Sequence, residues 1–403
     1  MSVGVAQIDI TPAQPIRLTG YGSRSTPSER VAGKLRAKAL AFGGARAPSS
    51  VLVTADLIGV PLYMTEEVGR RLKRAGVEPE QLAISATHTH TGPSLSKVLP
   101  FIFKTPLTAE EQSVVDRYSA ELVDKLERVA LAALADRRPA RVEWGRGTAS
   151  FAANRRVLTD GKWVAFGVAP DGPIDRDLPI LAVRNTDGSL RAVLVSYACH
   201  ATTLEGKDNF VHGDWPAAAQ AFIEERHPGA IALVAIGTGA DANPNPRGGG
   251  LADVERHGRE IAAEVERLLG RALRPIAATP IGRSRRISLP LASSPPSSVP
   301  YPIQVWTFGS DLAMIFLGGE VVADYGLRLK RELDGARLWV MAYSNDVAFY
   351  VASKRQIPEG GYEVIGSMAY YGHPARLGDD SEDLIVRTVR DLLPAPFRTR
   401  DGS

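Results

Sequence analysis

Three stretches of the chain carry the same pattern of apolar and polar positions. Val51–Ala55 is an apolar run that predicts a buried strand, Thr65–Arg74 follows with helical spacing, and Leu82–Ala86 predicts a second strand. Ala192–Tyr197, Pro216–Arg226 and Ile231–Ile236 repeat that order, and Leu312–Leu317, Ala323–Leu333 and Leu338–Tyr343 repeat it again. In each unit polar residues and glycines follow the carboxyl ends of strands: His88 and His90 in the first, His200 and Asp241 in the second, Glu320 in the third. A helical crossover favours parallel pairing with a right-handed turn. Ligands of open α/β sheets bind beyond the carboxyl ends of strands. The pattern therefore predicts an α/β fold of strand–helix–strand units around a mixed sheet, with the active site at those carboxyl ends.

The segments between units are less regular. Met1–Thr11 alternates as a strand does, and Thr108–Ala135 predicts a long, charged amphipathic helix. Residues 142–195 read as short strands punctuated by Asp160-Gly161, Asp171-Gly172 and Asp187-Gly188, which are hairpin signals. Arg286–Pro302 is rich in proline and serine and is expected to be a loop. Residues 395–403 are expected to be a frayed tail, and 1–403 a single catalytic domain.

Composition narrows the class. Hydrophobic residues make up 44% and charged residues 23%, which excludes disorder and coiled coil. The single cysteine, Cys199, excludes an intrachain disulfide, and its place after an apolar strand marks it as buried and inert. With 48 basic against 45 acidic residues and no long basic run, a nucleic-acid partner is not expected. No apolar run reaches the roughly 18 residues of a membrane span, and no leader pattern opens the chain. A cytoplasmic enzyme is expected, or an exported one if a leader was removed; the oligomeric state is not legible.

Four positions are candidates for chemistry, each with a plainer alternative. In an extended segment His88 and His90 point to one side, so H-x-H at a strand end is either a two-nitrogen metal site or a polar strand end. His200 is a metal ligand or a core histidine bonded to a carbonyl. Asp241, in a Gly-rich turn, is a proton acceptor or ordinary turn chemistry. Glu320 directly after an apolar strand and Gly318-Gly319 needs a partner if buried, and a metal would serve; capping of the next helix is the alternative. Nothing local singles out Tyr350 or Tyr362 among 11 tyrosines. Walker loops, GxGxxG after a strand, GxSxG and HExxH are absent from the sequence.

Taken in order, the residues resemble the neutral/alkaline non-lysosomal ceramidase family in its N-terminal catalytic domain. Ile8-Asp9-Ile10-Thr11-Pro12, Gly20-Tyr21 and Leu35-Arg36-Ala37-Lys38-Ala39 open the resemblance. Thr87-His88-Thr89-His90-Thr91-Gly92-Pro93 matches the family's HTHSGP; Asn154-Arg155, Cys199-His200-Ala201-Thr202, Gly213-Asp214, Ala240–Asn245, Gly319-Glu320, Asn345–Tyr350 and Tyr362-Glu363 continue it. The resemblance implies a zinc ion held by His88, His200, Glu320 and Tyr350. It implies Asp241 as general base on the attacking water, and His90 steadying the oxyanion or serving as acid. Gly20, Arg155 and Tyr362 would line the substrate site. Asn243 stands where the family has a serine, so a serine role does not transfer and Asn243 joins the substrate-binding set. The family's C-terminal immunoglobulin-like domain is expected to be absent, as in a short bacterial-type member. Val98–Lys104 is read as core in preference to an apolar lip. The expected activity is zinc-dependent hydrolysis of an amide, N-acyl or ceramide-like, by a metal-activated water. The alternatives are ester or lactone hydrolysis at the same zinc site, or a silent ligand-binding homologue.

Overall fold

A computed structural model describes residues 1–44 and 47–398. All three units form with parallel strands. Ala47–Ala55 pairs with Leu82–Ala86 across the helix Leu62–Leu72. Leu190–Tyr197 pairs with Ile231–Ile236 across Asp214–Arg226. Leu312–Leu317 pairs with Leu338–Met341 across Ala323–Glu332. Each parallel pair is one side of a larger mixed sheet, extended by antiparallel strands. Strands and helices thus build the α/β architecture that the pattern implied.

The second strand of every unit is the edge of its sheet. An open edge leaves unpaired backbone groups, and here the edges seal one another. Ala86 N donates to the Tyr343 carbonyl at 3.0 Å, and Ala342 N donates to the Ile236 carbonyl at 3.0 Å. These bonds lie where the strands end, so three sets of carboxyl ends meet. The inner faces share one apolar core: Leu40, Phe42 and Leu52 from the first sheet, Trp144, Leu181 and Leu194 from the second, Trp306, Phe316 and Trp339 from the third. The helices cover the outer faces. The long helix runs Ala109–Ala135 and starts with a capping box between Thr108 and Glu111. Among the described residues, no helix is long and apolar enough to cross a membrane.

Two expectations need correction. Arg286–Pro302 is not a loop: Ile281–Leu291 and Ser297–Phe308 form an antiparallel hairpin. Leu289, Leu291, Val299, Tyr301 and Ile303 are buried at alternate positions, the period of a strand packed on one face. The tail is not frayed at its start, because Ala395–Phe397 is a 3₁₀ turn whose Phe397 is fully buried. Residues 399–403 lie outside the described residues. Val98–Lys104 divides: Val98, Leu99 and Ile102 are buried, whereas Phe101 is 65% exposed.

Candidate metal centre

His88 follows the strand Leu82–Ala86, but not in extended form. Its φ is +57°, in the left-handed region, so the i, i+2 argument does not describe this backbone. Such strain persists only where the surroundings enforce it. The imidazole Nδ1 lies 2.6 Å from the Ile58 carbonyl, and the Tyr343 ring packs 4.2 Å away. Thr89 bridges to Ala201, which brings His90 to His200. Glu320 and Tyr350 are register partners in a short parallel pair, so their side chains start side by side.

The hydrogen bonds of the three imidazoles set their chemistry. Nδ1 of His88, His200 and His90 faces the carbonyls of Ile58, Gly239 and Gly20 at 2.6, 2.9 and 3.1 Å. A carbonyl only accepts, so each Nδ1 carries the proton and each Nε2 is a bare lone pair. Those lone pairs converge. One ring nitrogen from each histidine lies within 4.8 Å of the others. Glu320 Oε2 is 3.1 Å from His88 Nε2 and 3.2 Å from His200 Nε2, and the Tyr350 hydroxyl is 3.2 Å from His200 Nε2. Glu320 Oε2 is buried and has no hydrogen-bond partner. Three imidazole lone pairs and a carboxylate oxygen facing one another suit a cation between them.

A metal of zinc's kind fits this set. Tetrahedral bonds of about 2.0–2.1 Å place ligand atoms about 3.3 Å apart, close to the separations found. The protonation states agree. Burial pushes the His200 imidazole down to about 3, helped by the Arg155 guanidinium and by His88. Burial, then His88 and His200, hold His90 well below its ordinary value. Both rings are neutral at pH 7. For Glu320 burial pulls upward, and with the neighbouring imidazoles neutral only a cation would hold its carboxyl ionised. Burial, then Glu320, keep the Tyr350 phenol well above its ordinary value; Arg155, donating to its oxygen at 3.2 Å, acts in the opposite sense.

Gly20, Arg155, Asn243 and Tyr362, the residues assigned to substrate by resemblance, line one pocket of about 200 Å³ together with His90 and Tyr350. Arg155 is held by Glu363, accepting from its Nε at 2.7 Å, and reaches Asn243 Oδ1 from Nη1 at 3.3 Å. Gly20 has φ +95°, and a Cβ there would stand 2.6 Å from His90 Nδ1, so only glycine fits. A larger groove of about 890 Å³ lies elsewhere, lined by residues such as Arg328 and Glu382 that pair with each other; it holds none of the converging acceptors.

Asp241, expected as general base, is set among donors away from the pocket wall: Ala323 N donates to Oδ1 at 2.8 Å, and Asn154 Nδ2 and Gln356 Nε2 donate to Oδ2 at 3.2 and 2.9 Å. Oδ1 keeps a lone pair, but Asp241 is not among the residues that line the pocket. Burial pushes its carboxyl up to about 6. Asp241 ties the second unit to the helix of the third. Sequence reasoning also missed Tyr371, which donates to Glu320 Oε1 at 2.5 Å. As one of 11 tyrosines it carried no local signal. Cys199 is buried, and burial raises its thiol well above the ordinary value, as an inert cysteine requires.

Comparison with known proteins agrees with this fold, which solved structures share. The crystal structure of neutral ceramidase from Pseudomonas aeruginosa has a TM-score of 0.78 at 18% identity, over 97% of this chain and 73% of that one. A ceramidase complexed with C2 has a TM-score of 0.77 at 18% identity, over 98% and 76%. No curated protein sequence matches the chain. The family model described as neutral/alkaline non-lysosomal ceramidase, N-terminal, matches residues 1–250. That stretch contains His88, His90, His200 and Asp241. More than half of the sequence meets the family model and nearly all of the fold is shared, so the chain belongs to the neutral/alkaline non-lysosomal ceramidase family.

Proposed function

We propose that this chain is a zinc-dependent hydrolase that cleaves the amide bond of a ceramide-like or other N-acyl amide. The observation that carries the reading is the convergence of His88 Nε2, His200 Nε2, Glu320 Oε2 and the Tyr350 hydroxyl, with both imidazole tautomers fixed by carbonyls. These four residues would hold the metal, which when bound polarises a carbonyl and makes water a competent nucleophile near neutral pH. The carbonyls behind the ligands keep both rings oriented, as such outer partners do in metal sites generally.

The remaining roles fall to residues of the pocket. His90 lines it with a bare Nε2, held in place through Nδ1 and Gly20. It takes the proton released as water attacks and returns it to the leaving nitrogen. Arg155 brings a buried positive charge to the same wall, where it offsets negative charge developing on the carbonyl oxygen. Beside the pocket, Val164, Phe166 and Val168 are about half exposed on the strand Lys162–Ala169. An apolar surface of this kind suits an acyl chain leaving a pocket that encloses only the amide and its neighbours.

The test is elemental analysis of protein purified without chelator, paired with assays on an N-acyl amide and its matched ester. About one zinc per chain and release of free amine, both lost in His88→Ala, are the expected results. Folded protein that neither holds nor takes up zinc, or that cleaves only the ester, overturns the reading.

A further inference from the structure

The following rests on the hydrolase reading and narrows its substrate. The pocket beside His90 continues into a second cavity of about 270 Å³, and Phe166, Asn243 and Arg247 line both. Arg247 therefore stands at the junction. Its Nη2 donates to the Tyr21 hydroxyl at 3.1 Å, and the Tyr21 ring lies 5.2 Å from that of His90. Its charge is thus one ring removed from the reacting centre.

That charge is poorly balanced. Arg247 Nε is buried without a hydrogen-bond partner. The carboxylate in ion-pair range, Glu205, is 3.9 Å away, too far for a hydrogen bond, and also attends Lys207 at 3.6 Å. Arg155 differs, because Glu363 takes its Nε at 2.7 Å. No carboxylate lines either cavity among the described residues. A guanidinium is a planar fork suited to carboxylate. The side chain is 30% accessible, so a substrate carboxylate can reach the outer part of that fork, and neither cavity supplies an anion to it among the described residues.

We propose that Arg247 binds a carboxylate on the substrate, so that the preferred substrates are N-acyl amides with an acidic amine portion, such as N-acyl amino acids. The assay compares N-dodecanoylglycine with N-dodecanoylethanolamine, a neutral partner of similar length, by dodecanoate release. The intact enzyme is expected to favour the acid in kcat/KM by about 10-fold or more, the range of a charge-assisted hydrogen bond. Arg247→Met is expected to bring the ratio near one, and Arg247→Lys to restore part of it. A merely structural role for Arg247 would lower both substrates together and leave the ratio unchanged. An intact-enzyme ratio near one, or a ratio that Arg247→Met does not move, overturns the proposal. If neither amide is cleaved, the hydrolase reading fails, and equilibrium binding of the same two compounds decides the role of Arg247. A preference for the acid that Arg247→Met abolishes upholds it; equal binding overturns it.

Discussion

Glu320→Gln distinguishes a metal ligand from an ordinary buried carboxylate, because the two roles predict opposite signs. Without a cation, Glu320 Oε2 faces two nitrogen lone pairs at 3.1 and 3.2 Å and donates to neither. A glutamine can keep Oε1 as acceptor for the Tyr371 hydroxyl, now at 2.5 Å, and turn its two N–H groups toward His88 Nε2 and His200 Nε2. Two neutral hydrogen bonds replace two lone-pair conflicts. At about 0.5–1.5 kcal/mol each, the metal-free variant is expected to be about 1–3 kcal/mol more stable than the parent. Zinc has the opposite effect on the pair. At about 100 times its Kd it stabilises the parent by about 2.7 kcal/mol and leaves the variant unmoved.

For 403 residues at about 2.1 cal/mol/K each, 1 kcal/mol corresponds to about 1.2 °C in Tm. Calorimetry at pH 7.5 in chelator is thus expected to place Glu320→Gln about 1–4 °C above the parent. Added zinc is expected to raise the parent by about 3 °C and the variant not at all. A variant that melts below the parent in chelator would show that Glu320 is already satisfied without metal. An equal zinc shift in both proteins would place the ion elsewhere. Either result refutes the reasoning from lone pairs.

Asp241→Asn tests the structural role assigned to that residue: the amide can still accept from Ala323 N, but it sets N–H groups against those of Asn154 and Gln356. The variant is expected to lose about 2–4 kcal/mol in urea unfolding while keeping its zinc content, and unchanged stability would contradict the assignment. Gly20→Ala places a Cβ 2.6 Å from His90 Nδ1 at φ +95° and should displace that ring. Turnover is expected to fall about 10- to 100-fold with zinc retained, and parental turnover would remove His90 from the mechanism.

The three units were legible because each is a pair of apolar runs around a helix, and burial on both faces leaves little else for such runs to be. What the runs do not carry is how their edges meet. The bonds from Ala86 to Tyr343 and from Ala342 to Ile236 join residues far apart in the chain through backbone atoms, which any residue supplies. The hairpin across Arg286–Pro302 was obscured by composition. Pro290, Pro300 and Pro302 lie opposite Ser298, Ser288 and Arg286, yet the buried side chains still alternate beneath them. Proline at positions where no ladder donor is required does not break a strand. Period outweighed composition there.

Asp241 and Glu320 show where reading a site from sequence stops. Both are carboxylates after glycine-rich strand ends, both are buried, and each admits a chemical or a structural role. The difference lies in what their second oxygen meets. Asp241 Oδ2 meets the amide N–H groups of Asn154 and Gln356, so its charge is answered by hydrogen. Glu320 Oε2 meets nitrogens whose protons are already committed to the carbonyls of Ile58 and Gly239. A carboxylate among donors is a tie that holds two elements together, whereas one among acceptors is half of a site that a cation completes. That distinction depends on the tautomer of a neighbouring imidazole, which a carbonyl 30 or 39 residues away in sequence decides. It therefore belongs to the folded molecule, and the histidines' second nitrogens rather than the carboxylates themselves assign the two roles.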